Sequence, residues 1–397
     1  MVALRWKALV REISDRSELV ARLDAHEPLH DVVLQDIDLT GLTDQLTACE
    51  LERTYFFGCH GAPGDLESLM SAGAAVFPTL AGLPFDPYRT KLYAPAELFS
   101  GFDPSDPCSY CHTPDAVIYD HWVSTGRVHP DSIVDALARR LHDHAVSDAL
   151  AEFLAVGDRA THAVAVMGGH DLARSVDGQY AEIAKLARTL TREGFLMVSG
   201  GGPGAMEATH LGAWFADAPD GRLHAALSVL ADAPAFDHID FVKQAFLVVA
   251  ANPGVTPRPS LGIPTWLYGH EPPTIFATHL AKYFDNSARE DGLVSVARRG
   301  IVFAAGGAGT VQELFQDAAQ NHYFALGEAS PMILLGREFW TTTVPALAVL
   351  QALSTGKPWQ DLVTVVDTAA EAAAALRARG PIPSPLTPWS FCAAHCS

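Results

Sequence analysis

One stretch of this chain sets a carboxylate three residues after a hydroxyl and just past three glycines: Gly306-Gly307-Ala308-Gly309-Thr310-Val311-Gln312-Glu313. Glycines let a backbone turn tightly and approach a ligand closely. Free N–H groups at the start of the following helix make an anion site, and phosphate is the usual anion. Glu313 points a carboxylate at the same place. Thr310 and Glu313 also have the spacing of a capping box, in which two side chains satisfy orphan backbone donors. A structural role therefore stands beside a chemical one. A second glycine turn, Gly200-Gly201-Gly202-Pro203-Gly204-Ala205-Met206, lies about a hundred residues earlier and runs into Glu207, and a shorter one is Gly168-Gly169-His170.

Each turn needs a strand before it and a helix after it. Ile301 to Phe303, Ala163 to Met167 and Phe195 to Ser199 are short apolar runs that read as buried strands. A helix is predicted from about Gly178 to Arg192, with Tyr180, Ile183, Leu186, Ala187 and Leu190 at helical spacing and Gly194 ending it. Another follows Gly204. His224 to Val229 reads as the next strand, Thr274 to about Phe284 as a helix, and Asn286 to Asp291 as a connection to a short helix ending at Arg299. The helix of the Glu313 stretch runs from Thr310 past Tyr323. Met332 to Leu335 and Leu362 to Val366 are late strands, and Val344 to Leu353 and Thr368 to Arg379 are helices. This alternation predicts an α/β fold: a Rossmann-like, doubly wound parallel sheet with helices on both faces and its ligand beyond the strand C-termini.

Residues 1–155 read as an N-terminal extension, mixed α/β or irregular. It contains a helix from Arg16 to Leu23, a strand from Thr54 to Phe57, an irregular stretch over 77–114, and a helix from Asp131 to Leu154 with Ile133, Leu137, Leu141 and Val146 on or near one face. Residues 156–380 are expected to form a Rossmann-like nucleotide-binding catalytic domain, on the glycine turns and the family resemblance given below, and 381–397 a proline-rich tail expected to be mobile.

Composition narrows the partners. A net charge of −19 over 397 residues argues against nucleic acid. Met1 to Lys7 lacks the apolar region of a signal peptide, and no apolar run reaches membrane-spanning length, so a cytoplasmic protein with no membrane partner is expected. Six cysteines in so long a chain do not suggest a disulfide scaffold. Cys108-Ser-Tyr-Cys111-His112 has the spacing of a haem attachment pattern, or of a zinc site completed by Cys59 or His60. The plainer reading is reduced cysteines in a turn, and no metal is expected.

Gly200-x-Gly202-x-x-Ala205 formally fits a dinucleotide fingerprint. It follows the second strand rather than the first, and the acidic residue that should end the next strand is missing. No Gly-Lys-Ser/Thr follows either turn, which excludes a P-loop. Two glycine turns at the ends of different parallel strands fit one phosphorylated ligand, a nucleoside monophosphate or a sugar phosphate.

The pair Gly200-Gly-Gly-Pro-Gly-Ala-Met206 and Ala305-Gly-Gly-Ala-Gly-Thr-Val-Gln-Glu313 resembles the LOG (lonely guy) family, whose signature is PGGxGTxxE preceded by a GGGxxGxM turn. The resemblance covers about residues 160–378 and is closer to the larger bacterial members. It implies a Rossmann-like fold, a homodimer or higher homo-oligomer, and no cofactor or metal. The implied activity is hydrolysis of the N-glycosidic bond of a nucleoside 5′-monophosphate to free base and ribose 5-phosphate. The signature proline is Ala305 here. The family's arginine, on the helix before the signature strand, falls on Arg289 with a one-residue offset; Arg298 and Arg299 are rivals at the helix end.

The resemblance and the residue chemistry together assign roles. Glycosidic cleavage builds positive charge on the ribose, which Glu313 stabilises while orienting or deprotonating water. Arg289 holds the phosphate or the departing base. Gly306, Gly307, Gly309 and Thr310 cradle phosphate. Gly168, Gly169, His170, Gly201, Gly202, Gly204, Met206 and Glu207 make up the rest of the nucleotide site. The alternative is a nucleotide sensor or carrier that uses the same pocket without hydrolysis.

Overall fold

The computed structural model describes residues 11–385. Met1 to Lys7, Cys392, Cys396 and most of the proline-rich tail lie outside them.

Seven parallel strands form the central sheet. Their spatial order is Val363–Val366, Met332–Leu335, Gly300–Phe303, Ala163–Met167, Leu196–Ser199, Ser260–Gly262 and His279–Leu280. The inner strands are apolar on both faces because both are covered. Along them successive residues face opposite layers. Ala163, Ala165, Met167, Ile301 and Phe303 pack with the helices Ile133–Ala155, Asn286–Val296, Ala308–Tyr323 and Ala346–Ser354. Val164, Val166 and Val302 pack with Gln179–Arg192, Ala205–Trp214, Asp220–Leu230 and Ala369–Ala378. The chain is doubly wound: from Ala163–Met167 it runs outward in one direction and then resumes at Gly300–Phe303 on the other side. Val164 pairs with Gly300 and Met167 with Phe303, so the switch point lies between these two strands, where open α/β sheets bind ligands.

The extension is more regular than its sequence suggests. Arg11–Ile13, Val32–Gln35, Thr54–Phe57 and Ala75–Phe77 form a four-stranded parallel sheet in chain order, joined by the helices Arg16–Asp24, Thr43–Thr47 and Asp65–Ser71. Arg11 pairs with Val32, Val32 with Thr54 and Tyr55 with Ala75, so the unit recurs every 20–22 residues as a parallel coil. Ile13, Leu34 and Phe56 fill its own core. The 77–114 stretch is mostly irregular, with short helical turns at Pro95–Leu98 and Pro107–His112.

Several sequence expectations are corrected. His224 to Val229 is not a strand but lies in the helix Asp220–Leu230, whose Leu223, Ala226, Leu227 and Leu230 are buried at three- and four-residue spacing. Thr274 to Phe284 is not a helix. Phe276, Leu280 and Phe284 recur every four residues, yet the backbone is extended around His279–Leu280 and Thr265 bridges Tyr283. Asn286 begins the helix Asn286–Val296, capped by Asp285, rather than a connection. In the helix Ile133–Ala155, Ile133 and Leu137 are exposed, and the buried face carries His142, Val146, Leu150 and Phe153 packed into the central core.

Candidate functional site

Beyond the switch point lies a cavity of about 440 Å³, within the usual size range of small-molecule sites. Glu313 and Arg289 form one wall. They come from the helices Ala308–Tyr323 and Asn286–Val296, which pack side by side. Arg289 Nη1 donates to Glu313 Oε1 at 3.1 Å, and Arg289 Nε donates to the Ile263 carbonyl at 3.0 Å. Both side chains are about nine-tenths buried. Burial pushes the Glu313 carboxyl above the ordinary carboxylate range, and the Arg289 guanidinium pulls it part of the way back. The rivals point elsewhere: Arg298 bonds Glu328, and Arg299 bonds the Arg379 carbonyl.

The capping-box reading of Thr310 and Glu313 is corrected. The helix starts earlier, at Ala308, with Gly307 at the N-cap and no side-chain cap. The carboxylate of Glu313 is turned to Arg289 instead. A genuine capping box exists at Thr368 and Glu371. The exposed N-terminus at Gly307, Ala308 and Gly309 opens into the cavity with Thr310 behind it, the arrangement that suits an anion.

The two glycine motifs meet through Arg289. A methyl group on Gly200 would overlap Arg289 Nη2 and lie 2.6 Å from Met206 Sδ. Gly200 is thus the gap through which the guanidinium passes. Gly204 has φ +65°, and a Cβ there would overlap the Gly169 carbonyl, which accepts from Ala205 N–H at 3.1 Å. On the other side Gly169 N–H donates to the Ala305 carbonyl at 3.0 Å, so the three turns are stitched together. Below them, buried His210 sits between Ser199 Oγ at 2.8 Å and Ser260 Oγ at 3.1 Å; burial lowers its pKa to about 3.

Gly168, Gly169, His170, Met206, Arg289, Gly307, Gly309, Thr310 and Glu313 line the cavity. Gly201, Gly202, Gly204 and Gly306 lie behind that lining and shape it. Glu207 is not brought to the site. It is buried; Arg174 donates to both carboxylate oxygens, at 2.7 and 2.6 Å, and Tyr180 Oη donates to Oε2 at 2.7 Å. Cys108, Cys111 and His112 sit on an exposed helical turn, and among the described residues no group of three or more His, Cys, Asp or Glu is placed to hold a metal ion. Cys59 is buried against the Leu34 carbonyl. Among the described residues no helix is long and apolar enough to cross a membrane.

Sequence reading missed Tyr268, His270 and Glu271, which form the wall facing the glycine turns. They stand in a loop that matches no motif. A carboxylate between histidine and proline pairs was the available signal.

No protein-family model matches the chain, and no curated protein matches it. Among solved structures it is similar to the molybdenum cofactor binding protein of Rippkaea orientalis, at 14% identity over 54% of this chain and 95% of that one, with a TM-score of 0.35. It is also similar to the Moco carrier protein of Chlamydomonas reinhardtii, at 18% identity over 54% and 95% of the two chains, with a TM-score of 0.34.

Proposed function

We propose that this protein hydrolyses the N-glycosidic bond of a nucleoside 5′-monophosphate, releasing free base and ribose 5-phosphate. The observation that carries the reading is the buried Arg289–Glu313 pair set beside an unobstructed helix N-terminus in one cavity. The phosphate would lie on the N–H groups of Ala308, Gly309 and Thr310. That puts the ribose against Glu313. Oε1 of Glu313 takes the Arg289 hydrogen bond, and Oε2 would face the sugar. A fixed carboxylate there stabilises positive charge on the ribose ring and takes a proton from the attacking water. Arg289 favours the ionised form of Glu313 against the effect of burial and holds it in place, and Gly200 gives the guanidinium room. No step calls for a cofactor.

Incubation with a panel of nucleoside monophosphates, followed by chromatography of the free bases, tests this. Release from at least one of them is expected. If every nucleotide is recovered intact, the hydrolase reading fails and the carrier reading replaces it.

A further inference from the structure

The wall facing the second glycine turn is built from Tyr268-Gly-His-Glu271-Pro-Pro, and it is held firmly. A Cβ on Gly269 would overlap the ring of Tyr119, so the segment is pressed onto the helix Pro114–Ser124. Glu271 N–H donates to the Tyr268 carbonyl at 2.8 Å, and Thr274 N–H donates to the Gly201 carbonyl at 2.8 Å. The segment is thus fastened at its far end to the second glycine turn.

Within it, Glu271 has an environment unlike that of Glu313. Its Oε1 lies 3.4 Å from His170 Nδ1 and 3.6 Å from His270 Nε2. Its Oε2 faces Gly202, where a Cβ would stand 3.4 Å away. Phe236 lies between the two imidazoles, with ring centroids 5.2 Å from His170 and 5.9 Å from His270. The Glu271 side chain is only 13% exposed, while both histidines reach solvent. Burial raises its pKa against the opposing pull of His170, His270, Arg289 and Lys282; Asp171 and Glu290 also line the cavity. Burial of this kind favours the protonated carboxyl, the form a general acid needs.

Two groups of lining residues suit different parts of a nucleotide. The helix N-terminus at Ala308 suits phosphate, and half-exposed Tyr268 with two imidazoles offers flat surfaces for a base. We propose, resting on the hydrolase reading above, that Glu271 is a second catalytic residue, the general acid that protonates the departing base, and that His170 and His270 connect it to solvent. As the C1′–N bond breaks, its electron pair moves to the base nitrogen and the Glu271 proton goes to the base. The water oxygen bonds C1′ and its proton goes to Glu313. Solvent then returns that proton to Glu271 through the histidines, so base and ribose 5-phosphate leave with no net change in the protein.

The test compares a natural nucleotide from the panel with 4-nitrophenyl ribofuranoside 5-phosphate, whose leaving group departs without a proton. Glu271→Gln is expected to lower kcat on the nucleotide roughly 100-fold or more and to change kcat on the nitrophenyl substrate by less than about threefold. Glu313→Gln is expected to lose both. Glu271→Asp, which keeps an acid, is expected to recover most nucleotide turnover, and it serves if the glutamine variant fails to fold. Equal losses of Glu271→Gln on both substrates, or none on either, would overturn the acid role while leaving the hydrolase reading standing. A wild-type protein that cleaves neither substrate would overturn both.

Discussion

Arg289 reaches Glu313 across residue 200, where the absence of a side chain leaves its guanidinium room. The guanidinium passes over Gly200 to place Nη1 3.1 Å from Glu313 Oε1, and Nε is tied to the Ile263 carbonyl. One arginine thereby joins the turn after the second strand of the central sheet to the helix after the fifth.

Gly200→Ala should therefore act on function more than on folding. Its φ lies outside the left-handed region, so alanine fits the backbone, but its methyl group displaces Arg289 and Met206. We expect turnover to fall by about tenfold or more with a stability loss of about 1 kcal/mol. Steady-state kinetics beside thermal unfolding checks this. Unchanged turnover would show that Arg289 need not stay where it lies.

Glu313→Gln keeps an acceptor for Arg289 and removes the charge. Turnover should drop by about 100- to 1000-fold, with unfolding free energy changed by about 1–2 kcal/mol. In the proposed mechanism the ionised form of Glu313 is the active one and protonates as pH falls, so its raised pKa should place the acid limb of kcat above the ordinary carboxylate range. An acid limb at the ordinary carboxylate position would contradict that assignment.

Glu207 separates structure from chemistry. It is fully engaged by Arg174 and Tyr180 and lines no part of the cavity. Glu207→Ala leaves Arg174 buried without its partner and should cost about 3–5 kcal/mol. The protein that remains folded should turn over at the wild-type rate. Chemical denaturation and active-site-normalised kinetics measure the two separately.

The central strands were readable because they are covered on both faces and so run apolar without a break. The short ones at the far edge, Ser260–Gly262 and His279–Leu280, carry no such run. A four-residue recurrence of Phe276, Leu280 and Phe284 mimicked a helix there. The coil in the extension was hidden because its repeat is kept by backbone shape rather than residue identity. Asp31 and Arg53, 22 positions apart, both take positive φ before their strands, and Asp36 and Gly58 do so after them. Gly168, Gly204, Thr310 and Glu313 were legible because close backbone approach and a helix N-terminus that suits an anion favour particular residue types, whereas the place of Gly200 beside Arg289 shows only in the fold. Glu271 was not, since a carboxylate on a loop gains its meaning only from what the fold sets against it.

Glu12 gives the extension a pH response. It sits on the first strand of the coil beside Glu152 and Asp148 of the long helix, and its Oε1 is buried with no hydrogen-bond partner among the described residues. Burial first, and then those two carboxylates, raise its pKa from 4.5 to about 7. Because the folded value is the higher one, its stabilising contribution is complete below pH 4.5 and is lost as pH rises through about 7. Glu12→Gln should therefore be more stable than wild type at pH 8 by about 1 kcal/mol after solvent screening, and the difference should vanish below pH 4.5. Denaturant titrations at the two pH values decide it.

The most direct measurement is product stoichiometry for wild type and Glu313→Gln side by side. Each is incubated with the best nucleotide of the panel and no added cofactor, and base and ribose 5-phosphate are both quantified. The wild type should give the two products in equal amounts, and the variant should bind the nucleotide and return it uncleaved. Nucleotide recovered intact from the wild type, or equal release from both proteins, would contradict the assignment of hydrolysis to Glu313.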